Sequence, residues 1–219
     1  MKKLTTLLLA LALATPIFAQ YNTSQQRSRY NHFDTERYYG IRLGLNIASL
    51  SSSMADMDMS ARAGFAVGGV YGLQLANSTP LWLEAGLFYA EKGGKQTATT
   101  DASVEKITCR MSYLQIPVVV KYAFDVADDL YVQPFIGAYA AIGLGGTTKY
   151  YTVKAQDRYS KDSFDLMNRP DVGLRIGCGA EYQMIYAELG FDFGIANISK
   201  DEFERVRNQS LFINIGVNF

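Results

Sequence analysis

Charged side chains recur among glycines at alternate positions in several stretches of this 219-residue sequence. Arg42, Arg175 and Asp192 each have a glycine two residues before and two residues after them. Residues two apart in an extended strand point to the same face, so these charges share faces with glycines. The same alternation places a larger set of charged residues, of both signs, on the inward-facing side of the predicted strands: Arg42, Glu84, Lys121, Arg175, Glu181, Glu188 and Asp192.

Such a set of charges has two possible chemical roles. It could form a network of ion pairs that closes the interior, or it could line a path for protons or ions. An unpaired buried charge costs several kcal/mol, and the two signs are nearly balanced here. We therefore favour a structural plug of ion pairs, with the conducting path as the alternative.

Residues for common catalytic and cofactor sites are scarce. The one histidine, His32, precedes the first predicted strand, so a Ser-His-acid site at the outer rim would lack its general base. Asp56 and Asp58 lack the further carboxylates and the glycine of a calcium loop. The glycines at 143–146 are not followed by the Lys-Ser/Thr pair of a nucleotide-binding loop. We predict that the protein is not an enzyme and holds no metal or cofactor.

The two cysteines, Cys109 and Cys178, lie in different predicted strands. Cys109 is expected near the outer end of its strand. Cys178 is expected in the middle of another strand, two strands away. Export would permit a disulfide, but this separation exceeds the reach of one. We predict that the cysteines are small apolar packing residues.

The elements that position these residues are predicted strands with period-two alternation. In the last ten residues, apolar side chains at 211, 213, 215, 217 and 219 share one face, and the opposite face carries Asn214, Gly216 and Asn218. Long and short connections alternate along the chain, and 93–108 and 145–169 are among the predicted loops. Eight strands are predicted, at about 38–49, 63–75, 81–92, 109–124, 130–144, 170–182, 185–198 and 210–219.

The beginning of the chain predicts export. Lys2 and Lys3 precede a short apolar run at 4–13, and a cleavage site is expected before Gln20. Cleavage would move the net charge from zero to about −2, which argues against a nucleic-acid partner. We divide the chain into a signal peptide at 1–19, a flexible periplasmic leader at 20–37 and one barrel domain at 38–219.

The alternation predicts an all-β fold, an eight-stranded antiparallel transmembrane barrel of the outer-membrane type. No later segment has the roughly 18 uninterrupted apolar residues of a membrane-spanning helix, and mean hydropathy is near zero. A small barrel has no room for eight rows of large aliphatic residues, so the glycine-and-charge face is expected inside and the aliphatic face against lipid. A secreted lipocalin-like barrel with an apolar interior is the least favoured alternative.

Three segments resemble a known family. Residues 113–122, YLQIPVVVKY, resemble the YLxIPLLLKY strand of PorT-like outer-membrane β-barrel proteins. Residues 171–182, DVGLRIGCGAEY, resemble their later DxGLxxGxGxEY strand, and residues 40–46, GIRLGLN, their opening GxKxGxN strand. The terminal Phe219 is similar to the signal that the outer-membrane assembly machinery reads. The resemblance covers about 40–219 and implies a fold and a location in the cell outer membrane.

The expected function follows from these features together. We expect a non-enzymatic outer-membrane barrel with a closed, charged interior and long outer loops for surface or partner contacts. A narrow solute or ion channel is the alternative, and the resemblance adds an accessory role in protein secretion or outer-membrane assembly. Expected partners are outer-membrane lipid, the barrel-assembly machinery, and secretion or envelope proteins.

Overall fold

The computed structural model describes residues 37–52, 59–76, 79–100, 103–152, 157–200 and 205–219. The predicted signal peptide, nearly all of the leader with His32, and Asp56 and Asp58 lie outside these ranges. Across the described segments, no helix has the length and apolar character needed to cross a membrane. The described elements are β1 (Arg37–Ser52), β2 (Met59–Ala76), β3 (Thr79–Thr100), β4 (Ser103–Tyr122), β5 (Phe124–Ala127), β6 (Leu130–Thr152), β7 (Asp157–Asp162), α1 (Ser163–Leu166), β8 (Pro170–Tyr182), β9 (Ile185–Gly194) and β10 (Val206–Asn218).

Eight of the described strands form a closed antiparallel ring in the order β1, β2, β3, β4, β6, β8, β9 and β10. The short β5 follows β4 after Ala123 and pairs with the beginning of β6. The short β7 pairs with the outer part of β6. The predicted all-β, eight-stranded barrel is confirmed.

The ring closes between the first and the last strand. Leu45 lies opposite Ile213, and the pairing runs from Gly40 with Asn218 to Ser52 with Val206. The pairing leaves neither strand with an unpaired edge, which in lipid would expose unsatisfied backbone groups.

The two faces of the strands have opposite chemistry. Leu43 and Leu45 point outward with 56% and 58% of their surface exposed. Arg42, the residue before Leu43, points into the lumen and is 0% exposed. The same inside-polar, outside-apolar alternation continues around the ring, as in the pattern of β8. This arrangement is the reverse of a lipocalin, so the lipocalin-like alternative is wrong.

One end of the ring carries short turns. Asp129 and Gln183, in the turns before β6 and β9, have positive φ angles of 61° and 54°. Gln183 N–H donates to Asp129 O at 3.3 Å, and Asn218 N–H donates to Met184 O at 2.9 Å, so both turns and the end of β10 lie together. In outer-membrane barrels this is the periplasmic end.

The prediction of loops at 93–108 and 145–169 is wrong in large part. β3 and β4 form a continuous hairpin that reaches Thr100 paired with Ser103, and β6 continues to Thr152. These extensions are rich in polar residues because they leave the apolar layer, so their sequences lack the apolar alternation that predicts a strand. Their backbone groups are satisfied by cross-strand pairing, which does not require an apolar face.

Candidate functional site

Buried charged and polar side chains line the inside of the ring, and we call them the lumen network. All seven charged residues predicted for the interior are buried there: Arg42, Glu84, Lys121, Arg175, Glu181, Glu188 and Asp192. Each comes from the inward-pointing positions of its strand. The structure brings these residues together in three groups along the barrel.

Glu84 is the centre of the middle group. Its carboxylate lies 2.8 Å from Lys121 Nζ and 3.6 Å from Arg42 Nη2, and it accepts a hydrogen bond from the Tyr38 hydroxyl. Lys121 also approaches Glu188 Oε2 at 3.9 Å. Two cations therefore share two carboxylates in one layer, so each charge has an opposite charge beside it.

Tyr186 connects the members of the middle group. Its hydroxyl accepts a hydrogen bond from Lys121 Nζ at 2.7 Å and donates one to Glu188 Oε2 at 3.1 Å. The Arg42 guanidinium lies over its ring, 4.0 Å from the centroid. Gly179 makes room for this ring, since a Cβ at that position would overlap it.

The outer group is built around the pair Arg175 and Asp192. Two parallel hydrogen bonds join them, Nε to Oδ1 at 2.7 Å and Nη2 to Oδ2 at 2.9 Å. Lys92 Nζ lies 3.8 Å from Asp192 and 3.6 Å from Asp171, so it bridges the two carboxylates. Asn208 donates to Asp171 Oδ2 at 3.0 Å.

Glu181 belongs to the group nearest the periplasmic end. Its Oε2 accepts hydrogen bonds from Gln133 Nε2 at 3.0 Å and from Asn218 Nδ2 at 2.9 Å. Both of these donors are neutral amide groups. The Glu181 carboxylate therefore lies beside amide side chains at this end of the lumen.

Lys92 and Asp171 were missed among the predicted interior charges. Both are buried, 1% and 0% exposed. Strand alternation could have found them, because residues an even number of positions apart in a strand share a face. Lys92 is eight residues from Glu84 in β3, and Asp171 is four residues from Arg175 in β8. Lys92 was overlooked because the predicted strand ended at that residue.

An apolar cluster closes the outer mouth of the ring, and we call it the outer cap. The helix α1 contributes Phe164, whose ring meets Tyr113 edge-on at 6.0 Å. The cap contains Leu50, Cys109, Met111, Tyr113, Tyr139, Ala141, Phe164, Ile198 and Val206. No part of the sequence analysis predicted it, because its members come from the supposed loops as well as from strands.

Neither cysteine forms a disulfide. Cys109 is buried in the outer cap on β4, and Cys178 is exposed on β8. The two cysteines are therefore unpaired, as predicted. Only Cys109 packs inside the ring, so the predicted packing role applies to Cys109 and not to Cys178.

Metal-binding side chains do not converge in the described part of the chain. No group of three or more His, Cys, Asp or Glu side chains there has a geometry that could hold a metal ion. The clustered carboxylates, such as Asp171 with Asp192, are occupied by lysine and arginine instead.

A family model described as outer membrane protein beta-barrel domain matches residues 18–200. No curated protein sequence matches the chain. The match spans most of the ring and the greater part of the lumen network.

Several solved structures have a similar arrangement of strands. Ail, the attachment invasion locus protein of Yersinia pestis, is 13% identical with a TM-score of 0.44, over 84% of this chain and 100% of Ail. OprG from Pseudomonas aeruginosa is 12% identical with a TM-score of 0.44, over 83% and 95%. Neisserial surface protein A is 16% identical with a TM-score of 0.42, over 83% and 97%.

Proposed function

Because this chain belongs to the outer membrane protein beta-barrel domain family, we propose that it is a non-enzymatic barrel whose lumen is closed and whose outer hairpins make its external contacts. The protein resides in the cell outer membrane. The proposal concerns what the barrel does there: it presents an extracellular surface and passes no solute through its centre.

The observation that supports this proposal is the series of buried side chains that follow one another along the lumen. Above the Glu84 group, the rings of Phe135 and Phe212 stack at 6.3 Å. The Arg175 guanidinium packs on the Phe212 ring, 4.1 Å from its centroid, and the outer cap lies beyond. Ion pairs, stacked aromatics and an apolar cap follow one another along the axis. A hydrated ion would have to separate paired charges held in a low-dielectric interior, which is costly.

Planar-bilayer recording tests the closed lumen. The refolded protein should give no stable single-channel steps at moderate voltage. The variants Arg175→Ala and Leu174→Ala form a matched pair, because their side chains point to opposite faces of β8. Stable steps in the unaltered protein that change selectivity in Arg175→Ala, and not in Leu174→Ala, would establish the narrow channel instead.

The outer hairpins support the second half of the proposal. The β3–β4 hairpin and the outer part of β6 extend the barrel wall beyond the apolar layer and present exposed polar side chains, among them Lys95, Lys106 and Lys149. Membership in the PorT-like group, and with it an accessory role in secretion or assembly, stays a prediction. Affinity capture with the full-length protein tests it, and recovery of no secretion or assembly component would remove its support.

A further inference from the structure

The outer hairpins align basic and hydroxyl side chains across four strands. Lys95 of β3 lies opposite Thr108 of β4, which lies opposite Lys149 of β6, which lies opposite Ser160 of β7. Directly paired residues share a face of a sheet, so the four form one row. Lys106, two residues from Thr108, points to the same face. Three exposed lysines therefore lie on one side of this sheet.

A cavity of ≈500 Å³ lies along this row. Most of its lining residues, Lys106, Thr108, Lys149, Tyr151 and Ser160, lie on one face by alternation, and the intervening residues Tyr150 and Tyr159 also line it. The described residues that line it include no carboxylate. Asp162, in the adjacent row, uses its Oδ1 to accept the Phe164 N–H at 2.9 Å. The lining thus offers ammonium and hydroxyl groups, which suit an anionic ligand with many oxygens.

The opposite face of the same sheet is braced. Tyr150 and Tyr159 are direct cross-strand partners, and their rings stack at 4.7 Å with an interplanar angle of 7°. Such stacked aromatic pairs stabilise the pairing of neighbouring strands. This contact holds β7 against β6 and fixes the spacing between Lys149 and Ser160. The cavity is therefore largely preformed, which lowers the entropy lost on binding.

The cavity faces sideways, over the lipid. Its row continues the outward-pointing face of β4 and β6, where Ile116 and Leu144 are 48% and 52% exposed. Lys149 follows Leu144 by five residues, which places it about 16 Å further along the strand and about 12 Å along the axis of a barrel tilted near 40°. This height exceeds an interfacial layer of about 5–8 Å, so the cavity lies at the level of sugars attached to lipid.

We propose that this cavity binds the anionic saccharide head group of a glycolipid in the outer leaflet. The ammonium groups of Lys106 and Lys149 contact its acidic groups, and the hydroxyls of Thr108 and Ser160 contact the sugar. Charge complementarity identifies the anion, the height identifies a saccharide, and the sideways orientation identifies a membrane-resident ligand. The proposal rests on the membrane orientation of the barrel and not on the closed lumen, so bilayer recording and the binding test can fail independently.

Native mass spectrometry of the full barrel in detergent tests the proposal with three probes. These are lipopolysaccharide, the phosphorylated oligosaccharide released from it, and phosphatidylglycerol. Lipopolysaccharide should bind best, and Lys149→Gln and Lys106→Gln should each weaken its binding by about tenfold. Heat-modifiability gels verify that each variant is folded.

Two matched controls separate the site from general charge. Lys161 lies on the opposite face of β7, and Arg207 lies outward on β10, away from β4 and β6 around the ring. Lys161→Gln and Arg207→Gln should leave lipopolysaccharide binding within about twofold of the unaltered protein. Equal losses in the controls, equal binding of phosphatidylglycerol, or equally tight binding of the free oligosaccharide would each overturn the proposal.

Discussion

At the scale of single residues, the buried carboxylates of the lumen network each contact several partners, not a single cation. Glu84 has two cations and a phenol around it, and Asp192 has Arg175, Lys92 and Gln115. A buried pair gains little over an apolar pair of the same shape, but loss of one member leaves the other uncompensated. The cost of a substitution therefore depends on whether its partner is removed with it.

We predict this asymmetry for Arg175 and Asp192. Arg175→Met should lower the free energy of unfolding by about 3 kcal/mol, because it leaves the buried Asp192 carboxylate with weaker partners. The double variant Arg175→Met, Asp192→Leu should recover most of that loss. Urea unfolding in detergent, followed by tryptophan fluorescence, measures both. A double variant less stable than the single one would show that the two charges are held independently.

At the scale of elements, the four-residue helix α1 is a lid on the ring. Asp162 caps its first turn, and the Lys200 ammonium donates to the carbonyls of Phe164 and Asp165 at its end. These bonds satisfy backbone groups that so short a helix leaves unpaired. The lid places Phe164 in the outer cap beside Gly143, where a Cβ would overlap the phenylalanine ring.

We predict that displacing the lid exposes Cys109. In a Cys178→Ala background, Gly143→Leu should raise the rate of Cys109 labelling by a maleimide about tenfold or more, because Phe164 must leave the cap. Gly145→Leu is the control, since a Cβ there meets no atom within 4 Å. Mass spectrometry of the labelled protein follows the rate. Similar rates in the two variants would mean that Phe164 does not cover the thiol.

At the scale of the whole molecule, closure of the ring depends on the pairing of β1 with β10. Tyr39 and Phe219 exchange backbone hydrogen bonds of 3.0 and 2.7 Å, which complete the pairing of β1 with β10. Any residue except proline can make these two bonds at position 219. A requirement for the phenylalanine side chain would therefore come from recognition during assembly and not from closure.

We predict that Phe219→Ala is exported normally and inserted poorly. The measurement is a heat-modifiability gel of the outer-membrane fraction, where folded barrels migrate faster until boiled. Deletion of Phe219 should be worse, because it also removes the two backbone bonds. Tyr39→Ala is the control, as it keeps the backbone bonds and trims an aromatic side chain at the same end. Normal insertion of Phe219→Ala would reduce Phe219 to an interfacial aromatic residue.

The sequence by itself determined the number of strands in the ring and the chemistry of its two faces. These depend on period-two alternation, which is local and survives without tertiary contacts. The residues Arg42, Arg175 and Asp192 could be assigned to the interior for that reason. Lys92 and Asp171 lie on the same face by alternation and could have been assigned to the interior as well. Lys92 was left out because the predicted strand ended there.

Only the tertiary structure decided which charges meet, how far the strands extend and what covers the mouth. Glu84 contacts Arg42 and Lys121 because the registers of separate strands bring them to one height, and register is not visible in a single strand. The polar extensions of β3 and β6 pair without an apolar signal. The outer cap and the lysine row on the hairpins each combine residues far apart in the chain, so no local pattern could have shown them.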